Sequence, residues 1–328
     1  MAQTTLWYMT DDSKFNDLDK SLRKKVFFKD SNSYPDFKIG SLLDSSKQLK
    51  LGDLKVKFDI YEYSFAGPNA STSRLTGTLV LFQFNDKLGF IVDKAGYTNT
   101  LAFLRELSGA ANKKKTIVCE NYDDVIKDGR LFLWMISKIY HNESSINYGS
   151  ENTPKTITLN SLDGLKGNTR TGLNNVSTQG SDVINMLTTL AFLLESDRLT
   201  EVGLNISFEK HESLQLEIRT HNQLISLDVK AEDYKGSLYS NNLCIKNGKV
   251  NLAILRGMIL LTVHLSLIPM LSSLYKSETA GVNIKAELIK DIREDMTNRM
   301  EKLNEEDKIN NMDDSTENKK SNDKKNED

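Results

Sequence analysis

The sequence predicts an α+β protein of two mixed domains, each an antiparallel sheet packed with helices, followed by a C-terminal helix and a disordered tail. Three observations predict it. Leu79–Leu107 reads as strand, tight turn, strand, loop and helix. Apolar runs between Leu204 and Ile245 are joined mostly by short connections, which implies an antiparallel meander. Leu252–Tyr275 is the most hydrophobic segment, and one such helix packed on the meander completes a two-layer domain. The 328 residues divide into an N-terminal α+β domain (1–142), a β-meander-plus-helices domain (155–280), an amphipathic helix (284–303) and a tail (305–328).

In the first of these stretches, Leu79–Phe84 is almost wholly apolar and ends at Asn85-Asp86, residues that favour turns. Leu88–Val92 supplies the second strand of a hairpin buried on both faces for much of its length. Gly96 breaks the chain, Thr98 or Thr100 is placed to cap a helix, and Leu101, Leu104 and Leu107 form its apolar face.

From the N-terminus, Leu6–Met9 reads as a strand and residues 14–25 as a short amphipathic helix on Phe15, Leu18 and Leu22. Arg23-Lys24-Lys25 complements its C-terminus or meets a phosphate. Val26–Phe28 is a further strand candidate. Leu54–Phe65 alternates, with Leu54, Val56, Phe58 and Ile60 on one face and Lys55, Lys57, Asp59 and Tyr61 on a wet face. Residues 67–73 read as a mobile loop, and Ala110–Lys115 as a basic linker. Thr116–Cys119 is a short strand and residues 123–140 a helix weakened by Gly129. Residues 141–155 are polar and irregular and mark a domain boundary.

Ile157–Leu159 is a strand, and Asp163–Gly180 reads as a glycine-rich loop carrying Lys166 and Arg170. Ser181 caps a helix to about Ser196. The meander strands are Leu204–Phe208, Leu214–Arg219, Leu224–Lys230 and Leu243–Ile245, with turns at His211-Glu212 and His221-Asn222. Gly257–Tyr275 holds no formal charge and meets the length of a membrane span. Arg256 heads the segment and His264 and Pro269 interrupt it, so a buried helix is the expectation and the chain is not expected to span a membrane itself. Ile284, Leu288, Ile292, Met296 and Met300 recur every four residues on a charged helix suited to docking or self-association.

Charged residues make up 27% of the chain but the net charge is −2, so nucleic-acid binding needs a local patch. The candidates are Lys50, Lys55, Lys57, Lys113, Lys114, Lys115, Lys166 and Arg170. Lysine clusters without a stacking platform suit contacts to a double-stranded DNA backbone rather than base reading. Cys119 and Cys244 lie in apolar runs and fit buried, inert thiols in a reducing cytoplasm. The first residues are too polar for a signal peptide, which also points to the cytoplasm.

No nucleophile motif or metal-ligand spacing stands out, so no catalytic residue, metal or cofactor is assigned. The one enzyme-like signal is Asp228-Val229-Lys230 with Glu217 on the preceding strand, a D-x-K arrangement that metal-dependent nucleases use to hold Mg²⁺. His264 lacks a partner at metal spacing and reads as a satisfied core histidine.

Two stretches resemble the RexA-like phage-exclusion proteins. One is LVLFQFNDKLGFIVDKAGYTNTLAFLREL at 79–107. The other runs from helix 182–195 through LNISF and LISLDVKAED to KNGKVNLAILRG and a long helix. The resemblance implies a cytoplasmic two-domain protein of antiviral defence by abortive infection. Such a protein binds DNA, tends to form a homodimer and signals to a membrane-protein effector, and no catalytic residues come with it; the lysine clusters independently suggest binding without sequence preference. The alternatives are a Mg²⁺-dependent nuclease and a protein–protein adaptor docking through 284–302.

Overall fold

Asn85 and Asp86 adopt positive φ, 46° and 60°, and close a two-residue turn whose twist matches the strands it joins. The hairpin at the centre of the first sheet follows from that turn. The computed structural model describes all residues except 1–2, 25–33, 67–73, 95, 110–115, 151, 170–174, 180–183, 185, 222–223, 247, 281 and 324–328; at 169, 175–179, 197, 246 and 306–323 it describes backbone alone.

The N-terminal elements are β1 (Thr5–Met9), α1 (Phe15–Arg23), β2 (Lys38–Ser41), β3 (Lys47–Leu51), β4 (Leu54–Ala66), β5 (Arg74–Phe84), β6 (Lys87–Val92), α2 (Tyr97–Leu107) and β7 (Ile117–Cys119). There follow α3 (Asp124–Lys127), α4 (Arg130–Tyr140), β8 (Ser145–Ser150), β9 (Thr153–Thr169), β10 (Asn175–Gln179), α5 (Leu187–Glu195), β11 (Ser196–Phe208), β12 (His211–His221) and β13 (Leu224–Val229). The last are β14 (Lys235–Gly236), β15 (Ile245–Lys246), β16 (Lys249–Val250), α6 (Leu252–Thr262), α7 (Ile268–Glu278) and α8 (Ile284–Asp323).

Among the described residues two antiparallel sheets of seven strands form, with β15 and β16 paired as a separate two-stranded sheet. The first has the order β2-β4-β5-β6-β1-β7 with β3 beside β4, and the second β10-β9-β11-β12-β13 with β8 beside β9 and β14 beside β12. The fold is α+β, as the sequence predicts.

Both faces of the first sheet are buried. Tyr61, Tyr63, Leu79, Leu81 and Phe90 pack under α1 and α2. Phe58, Ile60, Val80, Phe82 and Ile91 face the other way, into a cluster that runs on through α6 to Leu204, Ile218 and Leu227 of the second sheet. Gly257 makes this possible: a Cβ there would lie 2.7 Å from Ile60 Cδ1. Asn251 caps α6 by accepting from the backbone N–H of Ala253 and Ile254 at 3.1 and 3.2 Å. A π-turn, Val263–Leu267, joins α6 to α7 and places Pro269 at the start of α7. The helix Leu252–Glu278 is apolar enough to cross a membrane by composition, and 72% of its most apolar window is buried inside the protein.

Several expectations are corrected. The segment at 163–169 is not a loop but the end of β9, which pairs with β10 and β11. Register shifts at Asn160 and Asp163 each add a residue, so the inward positions Leu159, Leu162 and Leu165 fall three apart and hide the strand period. The polar segment 141–155 contains β8, paired to β9. Residues 123–140 are two helices, broken at Gly129 (φ 80°), whose Cβ would meet Leu199 O at 2.8 Å. α4 packs on β9 and β11 and against α7 and α8. Helix α2 begins after Gly96 with no side-chain cap, and Thr100 is buried. The meander turn lies at Glu209-Lys210, where Glu209 takes φ 48°, rather than at His211-Glu212.

On β4 only Lys55 and Lys57 of the supposed wet face reach solvent. Asp59 and Tyr61 are fully buried because α1 covers them. In α8, Leu288 and Ile292 are buried in the core and Ile284 and Met296 pack against it, so the stripe is largely used inside the chain, with Met300 and Leu303 exposed. The backbone of α8 is helical to Asp323. The candidates Val26–Phe28, the 67–73 loop, the 110–115 linker and the Ser181 cap lie outside the described residues.

Candidate nucleic-acid interface

β3 and β4 form a hairpin turned at Gly52 (φ 58°), and its register sets Lys50 directly opposite Lys55 and Gln48 opposite Lys57. Directly paired residues share a face, so the three lysines stand on one side of the hairpin. Leu49, Leu51 and Val56 point the other way into the core. The sequence folds locally this way because the apolar and lysine positions alternate on both strands.

Lys50 and Lys55 are exposed, and neither makes an ion pair among the described residues. Like charges directly opposite each other repel, and an anion between them relieves that repulsion. Lys57 is held differently: its Nζ donates to Asn16 Oδ1 at 2.5 Å and lies 4.7 Å from the centre of the Phe15 ring. Beyond Lys57 the surface carries both signs, in a cleft lined by Asp11, Asp12, Lys14, Asp86 and Lys87.

Of the remaining predicted contacts, the structure describes Lys166 alone. Lys166 lies in the second sheet, opposite Glu201 of β11. Lys113, Lys114, Lys115 and Arg170 lie outside the described residues. Arg23, a sequence candidate for phosphate, instead pairs with the buried Asp59 and with Asp19, and donates to Leu43 O at 3.2 Å. Burial, with Asp19 beside it, holds Asp59 above the usual carboxylate range, against the pull of Ser41 and Arg23.

The D-x-K residues come together in part. Glu217 and Asp228 are direct cross-strand partners on β12 and β13. Asp228 is buried, however, and Arg256 takes it up, with Nη2 3.2 Å from Asp228 Oδ1 and Nη1 2.6 Å from Asp93 Oδ1. The guanidinium thus bridges Asp228 to Asp93, a carboxylate outside the D-x-K set. Glu217 pairs with Arg219 and accepts from Gln3 Nε2 at 3.0 Å; burial raises it, Arg219 opposes this, and Glu201 and Asp228 add to the rise. Among the described residues no group of three or more His, Cys, Asp or Glu is placed to hold a metal ion.

His264 is a core histidine with both nitrogens engaged. Thr4 Oγ1 donates to Leu227 O at 2.8 Å and is left to accept from His264 Nε2 at 3.3 Å, while Tyr122 OH donates to Nδ1. Burial, and then Arg256, lowers His264 to about 3. Burial pushes Cys119 up to about 12 and Cys244 to about 11, which makes poor nucleophiles of both.

The residue that the sequence reading missed is Arg256. Its signal is present: one cation heading an otherwise apolar helix must find a partner when the helix is buried.

The fold and this face define an α+β protein with two antiparallel sheets and a small exposed lysine face. No protein-family model matches the chain, and no curated protein matches it. The likeness to RexA-like proteins therefore rests on the two quoted stretches.

Proposed function

We propose that this protein binds the phosphate backbone of duplex DNA through the Lys50, Lys55 and Lys57 face, without reading bases and without cutting the strand. The observation that carries the reading is the direct cross-strand pairing of Lys50 and Lys55, both exposed and without a carboxylate partner among the described residues. A row of like charges at strand spacing suits successive phosphates and supplies no donor–acceptor code for bases. The setting follows from the resemblance alone: a cytoplasmic anti-phage sensor that self-associates and signals to a membrane-protein effector.

The test is a salt titration of binding to a duplex fragment, with and without Mg²⁺. Three phosphate contacts give a slope of about −2.7 in log K against log salt. Lys50→Ala with Lys55→Ala brings it to about −0.9. No binding at low salt, or a slope that ignores both substitutions, overturns the reading. Cleavage that needs Mg²⁺ and is lost in Asp228→Ala establishes the nuclease reading in its place, for which the Glu217–Asp228 register is the favouring observation.

A further inference from the structure

A groove of about 710 Å³ opens where β11 begins, between the α3–α4 turn, the C-terminal end of α7 and the start of α8. Arg130, Arg198, Lys276 and Lys285 line it, and Asp128 is the one carboxylate among its described lining residues. Arg130 Nε pairs with Asp128 at 2.7 Å, and Lys276, at the groove's edge, pairs with Asp123, also at 2.7 Å. Arg198 is exposed, and its guanidinium donates to the Lys127 carbonyl rather than to a carboxylate among the described side chains. The first residue of α4, Arg130, and the first residues of α8, Ile284 and Lys285, stand in the wall. Asp128 Oδ1 accepts from the Arg130 backbone N–H at 3.1 Å and offsets the α4 N-terminus, so it is the α8 N-terminus that adds partial positive charge to the cations. The opposing C-terminal end of α7 is partly quenched, because Thr279 Oγ1 donates to Tyr275 O at 2.8 Å.

The rest of the wall is apolar: Val125, Leu133, Leu199 and Val282. The volume falls within the range of small-molecule sites, about 300–1,000 Å³, and is far larger than a phosphate ion needs. We infer that this groove binds a nucleoside diphosphate, with the phosphates on Arg198, Arg130 and Lys276 and the nucleoside against the apolar wall. Several cations around one site suit a multiply charged head, and the wall beside them suits a flat apolar body. The site is separate from the lysine face on β3 and β4, so it stands or falls independently of DNA binding.

The experiment is calorimetric titration of the full chain with the four ribonucleoside diphosphates, pyrophosphate and adenosine. At least one diphosphate binds about tenfold tighter than pyrophosphate or adenosine, Arg198→Ala weakens it about tenfold, and Lys55→Ala leaves it unchanged. Arg198 is exposed, so its variant should fold; Lys276→Ala gives an independent reading, with unfolding temperature as the check. Binding of none of the four, pyrophosphate matching the best of them, or affinity that ignores both substitutions overturns the inference.

Discussion

Thr4 and Leu227 exchange both backbone hydrogen bonds, at 2.7 and 2.9 Å, and so carry the start of β1 onto β13, the edge strand of the second sheet. The Thr4 hydroxyl repeats the contact and orders His264 behind it. The two sheets are thereby joined by backbone, by a histidine relay and by the α6 helix packed between them.

This relay makes stability depend on pH. His264 is neutral in the fold, its pKa lowered to about 3, while the unfolded chain takes up a proton below about 6.5. The unfolded state then binds more protons, so stability falls as pH drops from about 6.5 towards about 3, by at most about 1.4 kcal/mol per unit. His211 is lowered by burial as well, which is why a variant is needed to isolate one share. His264→Gln flattens the curve from urea unfolding between pH 6.5 and 4; parallel curves for the two proteins count against the assignment.

Arg256 bridges Asp93 and Asp228, whose side chains are 7% and 5% exposed. Arg256→Ala leaves two buried carboxylates facing each other, and costs about 3 kcal/mol in chemical denaturation. Replacing the whole cluster, Arg256→Met with Asp93→Asn and Asp228→Asn, recovers most of that loss because no unpaired charge remains. A loss below about 1 kcal/mol for the single substitution would show that water reaches the cluster.

Gly257 lets α6 approach β4 and β5. Gly257→Ala gains about 1 kcal/mol of helix propensity but forces Ile60 to move, for a net loss of about 1 kcal/mol. Ile60→Val removes the Cδ1 atom that a Cβ would strike at 2.7 Å. The double variant is therefore more stable than the two single losses predict, by about 1 kcal/mol in a double-mutant cycle. Strict additivity would mean that the helix shifts bodily instead.

Lys55→Glu separates binding from folding. It turns the like-charge pair with Lys50 into an opposite-charge pair, so thermal stability stays level or rises while affinity for duplex DNA falls. A drop in stability would mean that Lys55 has a structural role in the hairpin.

By itself the sequence determined the local elements. Asn85-Asp86 declared its turn, Lys55 and Lys57 alternated with Val56 and Phe58, the short connections declared the meander, and the apolar run from Leu252 declared a core helix. These signals are local, because turn chemistry and side-chain period act over a few residues. Lys55 and Lys57 were legible for the same reason, at period two on one strand, whereas the place of Lys50 opposite Lys55 came only with β3, a strand the sequence did not announce. Tertiary structure alone decided which polar residues were buried and what they met. Asp59 lies 36 residues from Arg23, and Asp93 163 residues from Arg256, so no window of sequence contains either pair. The two bulges in β9 and the break at Gly129 were equally hidden, since each answers the backbone of β11, a strand distant in sequence. Packing imposed them, and a period read along one segment has no access to the partner that imposes the shift.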